Sequence, residues 1–290
     1  MSKKHKFLAP INIHLSILID EVEICGYKIR RRTKEETLKY YNVKSLFTDS
    51  CGGVAKVVYA EKEFDYIHWI FQNELGLNCK FILEIPAQKE DSFIRDEAAD
   101  LLTSLRLYKN GKVEIPIIFS EKLGHFQNVK LKIVKDERLY RLEKDDITEI
   151  EQIHKKITGL KNKKYWLLIE RFNNAISNES SFKNAFVDLA GILESILLQN
   201  NKNELRFRFS LHLSNLLNLL GSSITFKKAQ TIYDIRSKLV HTGDAKGFNE
   251  ALFFELLNYT RIIIKWYLEN NLDDSKAQEI LFEKLELKYE

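Results

Sequence analysis

An arginine and a histidine stand five positions apart near the end of the chain, in Ile232-Tyr-Asp-Ile-Arg-Ser-Lys-Leu-Val-His-Thr-Gly243. The guanidinium of Arg236 is permanently charged and forked to fit phosphate oxygens, and the imidazole of His241 gives and takes protons near neutral pH. Together these types suit cleavage of an RNA backbone without a metal. His241 would deprotonate a 2′-hydroxyl, which attacks the adjacent phosphorus. Arg236 would stabilise charge on the phosphoryl oxygens while a second group, such as the histidine of another copy, protonates the departing 5′-oxygen. A 2′-hydroxyl nucleophile makes such chemistry specific to RNA. At a helix C-terminus the dipole favours imidazolium, which keeps His241 available as an acid.

Arg-x4-His alone is a common chance spacing, and its geometry is awkward. Five residues at about 100° each set the two side chains about 140° apart on a straight helix. Two arrangements would reunite them. Gly243 implies that the helix ends at or just after His241, releasing the ring from strict helical projection. Alternatively, a two-fold dimer sets the arginine of one copy beside the histidine of the other. With Ala229, Ile232, Ile235 and Leu239 facing the core, Arg236 falls just inside the edge of the apolar stripe. A half-buried guanidinium needs a partner, and Glu194 or a phosphate would serve. Tyr233 and Ser237 flank the arginine as supporting residues, and Lys238 is a candidate RNA-binding cation beside them.

The elements that must position this pair are helical. From about Asp146 the hydrophobic period changes from two to 3.6 and proline disappears. The pattern predicts helices over Ile147–Leu160, Lys164–Ser177, Ser181–Gln199, Asn203–Leu220, Thr225–Val240 and Phe248–Asn270, forming an up-down bundle. Ser180-Ser181 and Asn201–Asn203 are N-cap candidates, and Gly221 and Gly243 stand where helix C-terminal glycines belong. The helix Phe248–Asn270 is apolar over more than one stripe, more than a single core readily absorbs, so a dimer interface is expected there.

The first half is mixed. Strand-like runs fall at Phe7–Ile13, Leu15–Leu18 with Val22–Tyr27, Val54–Tyr59, Lys80–Ile85, Val113–Phe119 and Val129–Val134. Helical spacing appears at Phe64–Leu75 and Asp91–Leu107, and Asn110-Gly111 reads as a tight turn into a strand. The expected class is therefore α+β: a mixed domain of unassigned role over 1–142 and an all-α bundle over 143–290.

Composition narrows the function classes. A chain of 290 residues with 44% hydrophobic and 30% charged residues has the make-up of a globular protein. Its net charge of +4 is the small difference between 45 basic and 41 acidic residues, so any nucleic-acid surface must be local. Cys25, Cys51 and Cys79 are odd in number and widely spaced, against a disulfide framework or a zinc site and for a reducing, cytoplasmic setting. The N-terminal apolar stretch is too short for a secretory signal, and Ala251–Leu268 carries Glu255, Arg261 and Lys265, so no membrane span is expected.

Three segments of the second half resemble the HEPN family (higher eukaryote and prokaryote nucleotide-binding domain), helical bundles marked by Arg-x4–6-His. They are Phe182–Leu198 with its Leu193-Glu194 step, Asn203-Glu-Leu-Arg-Phe-Arg-Phe-Ser210 and, above all, Tyr233–His241. The likeness spans about Lys164 to Asn270 and is greatest to the branch related to ApeA-type phage-defence proteins. It implies a dimeric, metal-independent endoribonuclease of a toxin or abortive-infection system, with Arg236 and His241 as catalytic residues, no cofactor, and an antitoxin or defence-system partner. The family often has Asn, Asp or His directly after the arginine, where this chain has Ser237, a hydroxyl that supplies no charge. One toxin branch carries a modifiable tyrosine two residues past the histidine, where Gly243 stands here, which argues against that form of control. Two alternatives remain open. One is a non-catalytic HEPN module that binds nucleotide or nucleic acid or scaffolds a partner. The other is a helical interaction domain in which Arg236 and Glu194 form a structural bridge.

Other residues carry weaker signals. Arg206 and Arg208, interleaved with Phe207 and Phe209, would line an RNA groove, or else the phenylalanines are core and the arginines a solvated edge. Lys28-Ile-Arg-Arg-Arg32 would bind a phosphate backbone, or else sits in a solvated turn with Glu35 and Glu36 close behind. His14, His68, His125, His154 and His212 have no metal-ligand spacing, and Asp96, Glu97 and Asp100 read as a solvated helix face. Cys51-Gly-Gly53 is too short a glycine loop to cradle a phosphate.

Overall fold

A computed structural model describes residues 6–11, 13–15, 21–33, 47–48, 54–55, 79–86, 91–115, 118–120, 126–127, 135–136, 138–160, 163–177, 180–198, 203–270 and 279–280. The class is α+β. The chain divides into two units that it enters more than once. One comprises Met1–Leu102, Gly111–Leu131 and Arg138–Ile147; the other comprises Thr103–Asn110, Lys132–Glu137 and Thr148–Glu290. The sequence pattern shows one change of period near Asp146, and no local signal marks the four earlier crossings.

The first unit is built on a sheet of β1 (Lys6–Ile11), β3 (Glu21–Ile24), β4 (Tyr27–Arg31), β7 (Phe81–Pro86), β8 (Ile118–Ser120) and β9 (Phe126–Gln127), in the order β3-β4-β7-β1-β8-β9. Every neighbouring pair is antiparallel. The inner strand β7 is Phe-Ile-Leu-Glu-Ile-Pro and buries Phe81 through Ile85 without alternation, as a strand covered on both faces does. The edge strand β3 alternates exposed and buried. Val22–Tyr27, expected as one strand, is instead the two arms of a hairpin. Cys25 and Gly26 both take positive φ, 56° and 79°, the pattern of a two-residue primed turn, and Ile24 pairs with Tyr27.

Two short ladders complete the strands: β2 (His14–Leu15) with β10 (Arg141–Leu142), parallel, and β5 (Phe47–Thr48) with β6 (Val54–Ala55), antiparallel. Asn110-Gly111 follows the helix α1 (Asp91–Tyr108) and is not a hairpin turn. Position 111 takes glycine for two reasons, a φ of +134° and the close approach of Tyr140, whose Cα a Cβ would meet at 2.8 Å; the next residue, Lys112, donates its N–H to the Arg138 carbonyl at 2.7 Å. The expected elements Phe64–Leu75 and Val129–Val134 lie outside the described residues.

The second unit is helical: α2 (Asp146–Thr158, from Thr148 on), α3 (Lys163–Ile176), α4 (Phe182–Leu197), α5 (Leu205–Leu219), α6 (Phe226–Thr242) and α7 (Glu250–Glu269). Ser181, Thr225 and Asn249 cap α4, α6 and α7, each side-chain oxygen accepting the backbone N–H three residues on. Asn201–Asn203 do not cap α5. Its N-cap is Glu204 in the left-handed region, with no side-chain hydrogen bond.

The helix α4 packs against α3, α5, α6 and α7, so Phe186, Leu189, Ile192, Leu193 and Ile196 are wholly buried. The helix α7 corrects the sequence reading. Leu252, Phe253, Leu256, Leu257, Ile263, Ile264 and Trp266 are all buried within one chain. Most of the apolar surface expected to meet a second copy is absorbed within the chain, while Phe254, Tyr259 and Ile262 are only half-buried. Complete burial of such a side chain contributes about 1.5–3 kcal/mol. Arg261, a charge in this apolar helix, donates from Nε to the Arg106 carbonyl at 2.6 Å and lies over the Phe172 ring. Among the described residues, no helix is long and apolar enough to cross a membrane.

Candidate functional site

Both halves of the Arg-x4-His pair lie on α6. Ala229, Ile232, Ile235 and Leu239 fasten this helix to the core. That stripe leaves Arg236 at its edge, where the guanidinium meets Glu194 of α4, Nη2 to Oε2 at 2.9 Å, with side chains 26% and 19% exposed. The pair is not saturated: Arg236 Nε and Glu194 Oε1 are buried without hydrogen-bond partners among the described residues. Burial raises the Glu194 carboxyl above its ordinary value and outweighs the opposing pull of Arg236. Tyr233, one turn before Arg236, lays its ring against buried Phe209 with centroids 5.5 Å apart. Burial and then the Glu194 charge raise its phenol.

His241 is elsewhere on the same helix. The helix ends just after His241, as Gly243 implies, but does not release it: α6 continues through Thr242, and Gly243 closes it at φ 71°, its N–H donating to the Leu239 carbonyl at 3.0 Å. The histidine therefore keeps its helical projection about 140° from Arg236 and about 7.5 Å along the axis. It is exposed, and its ring has no hydrogen-bond or ionic partner among the described residues. One chain thus brings Arg236, Glu194 and Tyr233 together and leaves His241 apart. Ser237, half-buried between them, makes no side-chain hydrogen bond among the described residues.

The candidate RNA-binding cations differ from one another. Arg206 is engaged by Asp234 of α6, Nε to Oδ1 at 2.6 Å and Nη2 to Oδ2 at 2.7 Å, and this bond holds the Asp234 carboxyl below its ordinary value. Arg208 has Glu204 at 3.9 Å, a loose pair. Lys238 is exposed and makes no salt bridge among the described residues, though its charge also helps to lower Asp234. Of the interleaved phenylalanines, Phe209 is buried and Phe207 is 52% exposed, so the reading of both as core holds for one. The role of Asp234 had no sequence signal, because its partner lies 28 residues away.

The basic run Lys28–Arg32 lies mainly in β4, not in a solvated turn. Lys28 pairs with Glu21 at 2.6 Å, Arg30 with Glu84 at 2.6 Å, and Arg31 lies over the Phe81 ring. His154 and His212 are buried; Nδ1 of His212 is 2.8 Å from the Leu197 carbonyl. Asp96, Glu97 and Asp100 lie on α1. Among the described residues, no three His, Cys, Asp or Glu side chains converge as metal ligands.

Searches against protein-family models, curated proteins and solved structures return no match. The functional reading therefore rests on the residues themselves.

Proposed function

We propose that this chain is a HEPN-like, metal-independent endoribonuclease whose working site combines Arg236 of one copy with His241 of a second. The observation that carries this is on α6. A guanidinium is fixed by Glu194 yet still partly open, and an unengaged histidine stands within two turns of it. A phosphate-binding group and a base at one helix end are two of the parts that 2′-hydroxyl attack requires, and the other copy's His241 would be the acid that protonates the departing 5′-oxygen. The divergence of Arg236 from His241 within one chain is what a two-fold pairing of α6 helices would resolve. With most of the apolar surface of α7 buried within one chain, the surface we propose for this pairing is the flank of α6 that carries exposed Val240 and His241 beside half-buried Ser237. The resemblance of Tyr233–His241 to the family motif adds a cytoplasmic role in phage defence or growth arrest.

The test is cleavage of RNA by the purified full-length chain in EDTA, followed by end analysis. Products with 2′,3′-cyclic phosphate ends are expected, and Arg236→Ala and His241→Ala should each lower the rate by at least 10²-fold. Cleavage that persists in both variants sinks the proposal.

A second reading has an observation of its own. The Arg236–Glu194 ion pair forms within one chain, as a structural bridge in a non-catalytic module would. That reading expects Arg236→Ala to lower stability with no change in any RNA effect, and His241→Ala to change nothing.

A further inference from the structure

The helices α5 and α6 carry a local basic excess. Between Asn203 and Thr242 stand Arg206, Arg208, Lys227, Lys228, Arg236 and Lys238 against Glu204 and Asp234, an excess of four. Neighbouring helices offset part of it, with Glu194 on Arg236 at 2.9 Å and Glu255 on Lys228 at 2.7 Å. Lys227 and Lys238 make no salt bridge among the described residues, although the Lys238 charge helps to lower the Asp234 carboxyl one turn before it.

On the same two helices the Phe207 ring, 52% exposed, meets Phe226 at a centroid distance of 5.7 Å and an interplanar angle of 61°. A single exposed phenylalanine is ordinary. This one is braced edge-on by a second ring at the start of α6, where exposed Lys227 follows Phe226; on α5 Arg208 follows Phe207, half-buried with its Nε buried and without a hydrogen-bond partner among the described residues. An aromatic face with cations beside it is how proteins hold a single strand, the ring stacking on a base and the cations meeting the phosphates. A duplex offers no free base face, and a purely apolar partner would gain nothing from the charge. Phe226 and Arg236 are ten residues apart on α6, about 15 Å along the axis. A few nucleotides of single strand span that.

We infer that Phe207 is a base-stacking subsite for single-stranded RNA, braced by Phe226, with Lys227 and Arg208 at the adjoining phosphates. This deepens the ribonuclease reading and rests on it for RNA being the ligand. The test uses the full-length chain carrying His241→Ala, in EDTA, and a fluorescein-labelled single-stranded RNA followed by anisotropy. Phe207→Ala should weaken binding about tenfold, Phe207→Trp should retain it, and Phe207→Leu, apolar without a π face, should behave as alanine. The slope of log affinity against log salt should not change, since no phosphate contact is lost. Unchanged affinity in Phe207→Ala, or full affinity in Phe207→Leu, overturns the inference. So does loss of self-association without loss of RNA affinity, which would make the ring a protein interface. Phe207-dependent binding without any cleavage by the wild-type chain supports the subsite and removes the ribonuclease reading. Cleavage with Phe207-independent binding does the reverse. If the wild-type chain binds no RNA, both fall.

Discussion

The first unit holds Lys28-Ile-Arg-Arg-Arg32 and the second holds Arg206-Phe-Arg208 beside the lysines of α6, two basic regions of similar composition. In β4, Glu21 takes Lys28, Glu84 takes Arg30 and the Phe81 ring underlies Arg31. On α5 and α6 only some of the cations are matched, and Lys227, Lys238 and an exposed ring remain toward solvent. What separates the two regions is the set of carboxylates and rings that the fold brings from far along the chain, as Glu84 comes from 54 residues beyond Arg30. A count of cations in sequence does not measure the charge available to a polyanion.

The sharpest way to break this comparison is to remove a cation from each region and ask what suffers. The Arg30 and Glu84 side chains are only 20% and 11% exposed. Arg30→Ala strips a desolvated carboxylate of its guanidinium, a cost between that of surface and buried pairs, about 2 kcal/mol in urea unfolding. RNA affinity should not change. Arg206→Ala breaks a more exposed pair and should cost less. Equal losses of stability, or a loss of RNA affinity in Arg30→Ala, would erase the distinction.

Periodicity revealed the helices of the second unit because their apolar stripes are local, and so are the caps at Ser181 and the stop at Gly243. Three things were not local. The hairpin at Cys25-Gly26 was hidden because Val22–Tyr27 is apolar and aromatic on both sides of the turn. The burial of α7 depends on how many neighbours surround it, which its own stripe does not encode. The site divides in the same way. Arg236 at the edge of the stripe, with Glu194 as its partner, was legible from helical angles, whereas the Arg206–Asp234 clamp and the exposed face of Phe207 follow from how α5 crosses α6.

Glu194 sharpens the comparison in a second way, because unlike the carboxylate of Asp234 on α6 it is held above its ordinary value by burial. A carboxyl raised on folding binds its proton more tightly in the folded chain. Its contribution to stability is complete below the unfolded value and is lost as pH rises through the folded one. Glu194→Gln abolishes that loss. Between the ordinary carboxylate range and the raised value, the stability of the wild-type chain should fall with pH more steeply than that of Glu194→Gln. Parallel curves in pH-resolved urea titrations would show that burial of this carboxyl carries no net cost.

The smallest expected effect isolates the free charge itself. Lys238 is exposed on α6 and makes no salt bridge among the described residues, its charge only adding to the Arg206 bond that lowers Asp234, so its replacement by alanine should leave stability nearly unchanged. If it meets one phosphate, Lys238→Ala should weaken binding of single-stranded RNA only modestly, but should reduce the slope of log affinity against log salt by about 0.7. Lys28→Ala, whose ammonium already sits 2.6 Å from Glu21, should leave that slope where it was. A slope that falls equally in both variants would mean that Glu21 yields Lys28 to the strand. The ion pairs of β4 would then be a reserve of binding charge, and the contrast between the two basic regions would vanish.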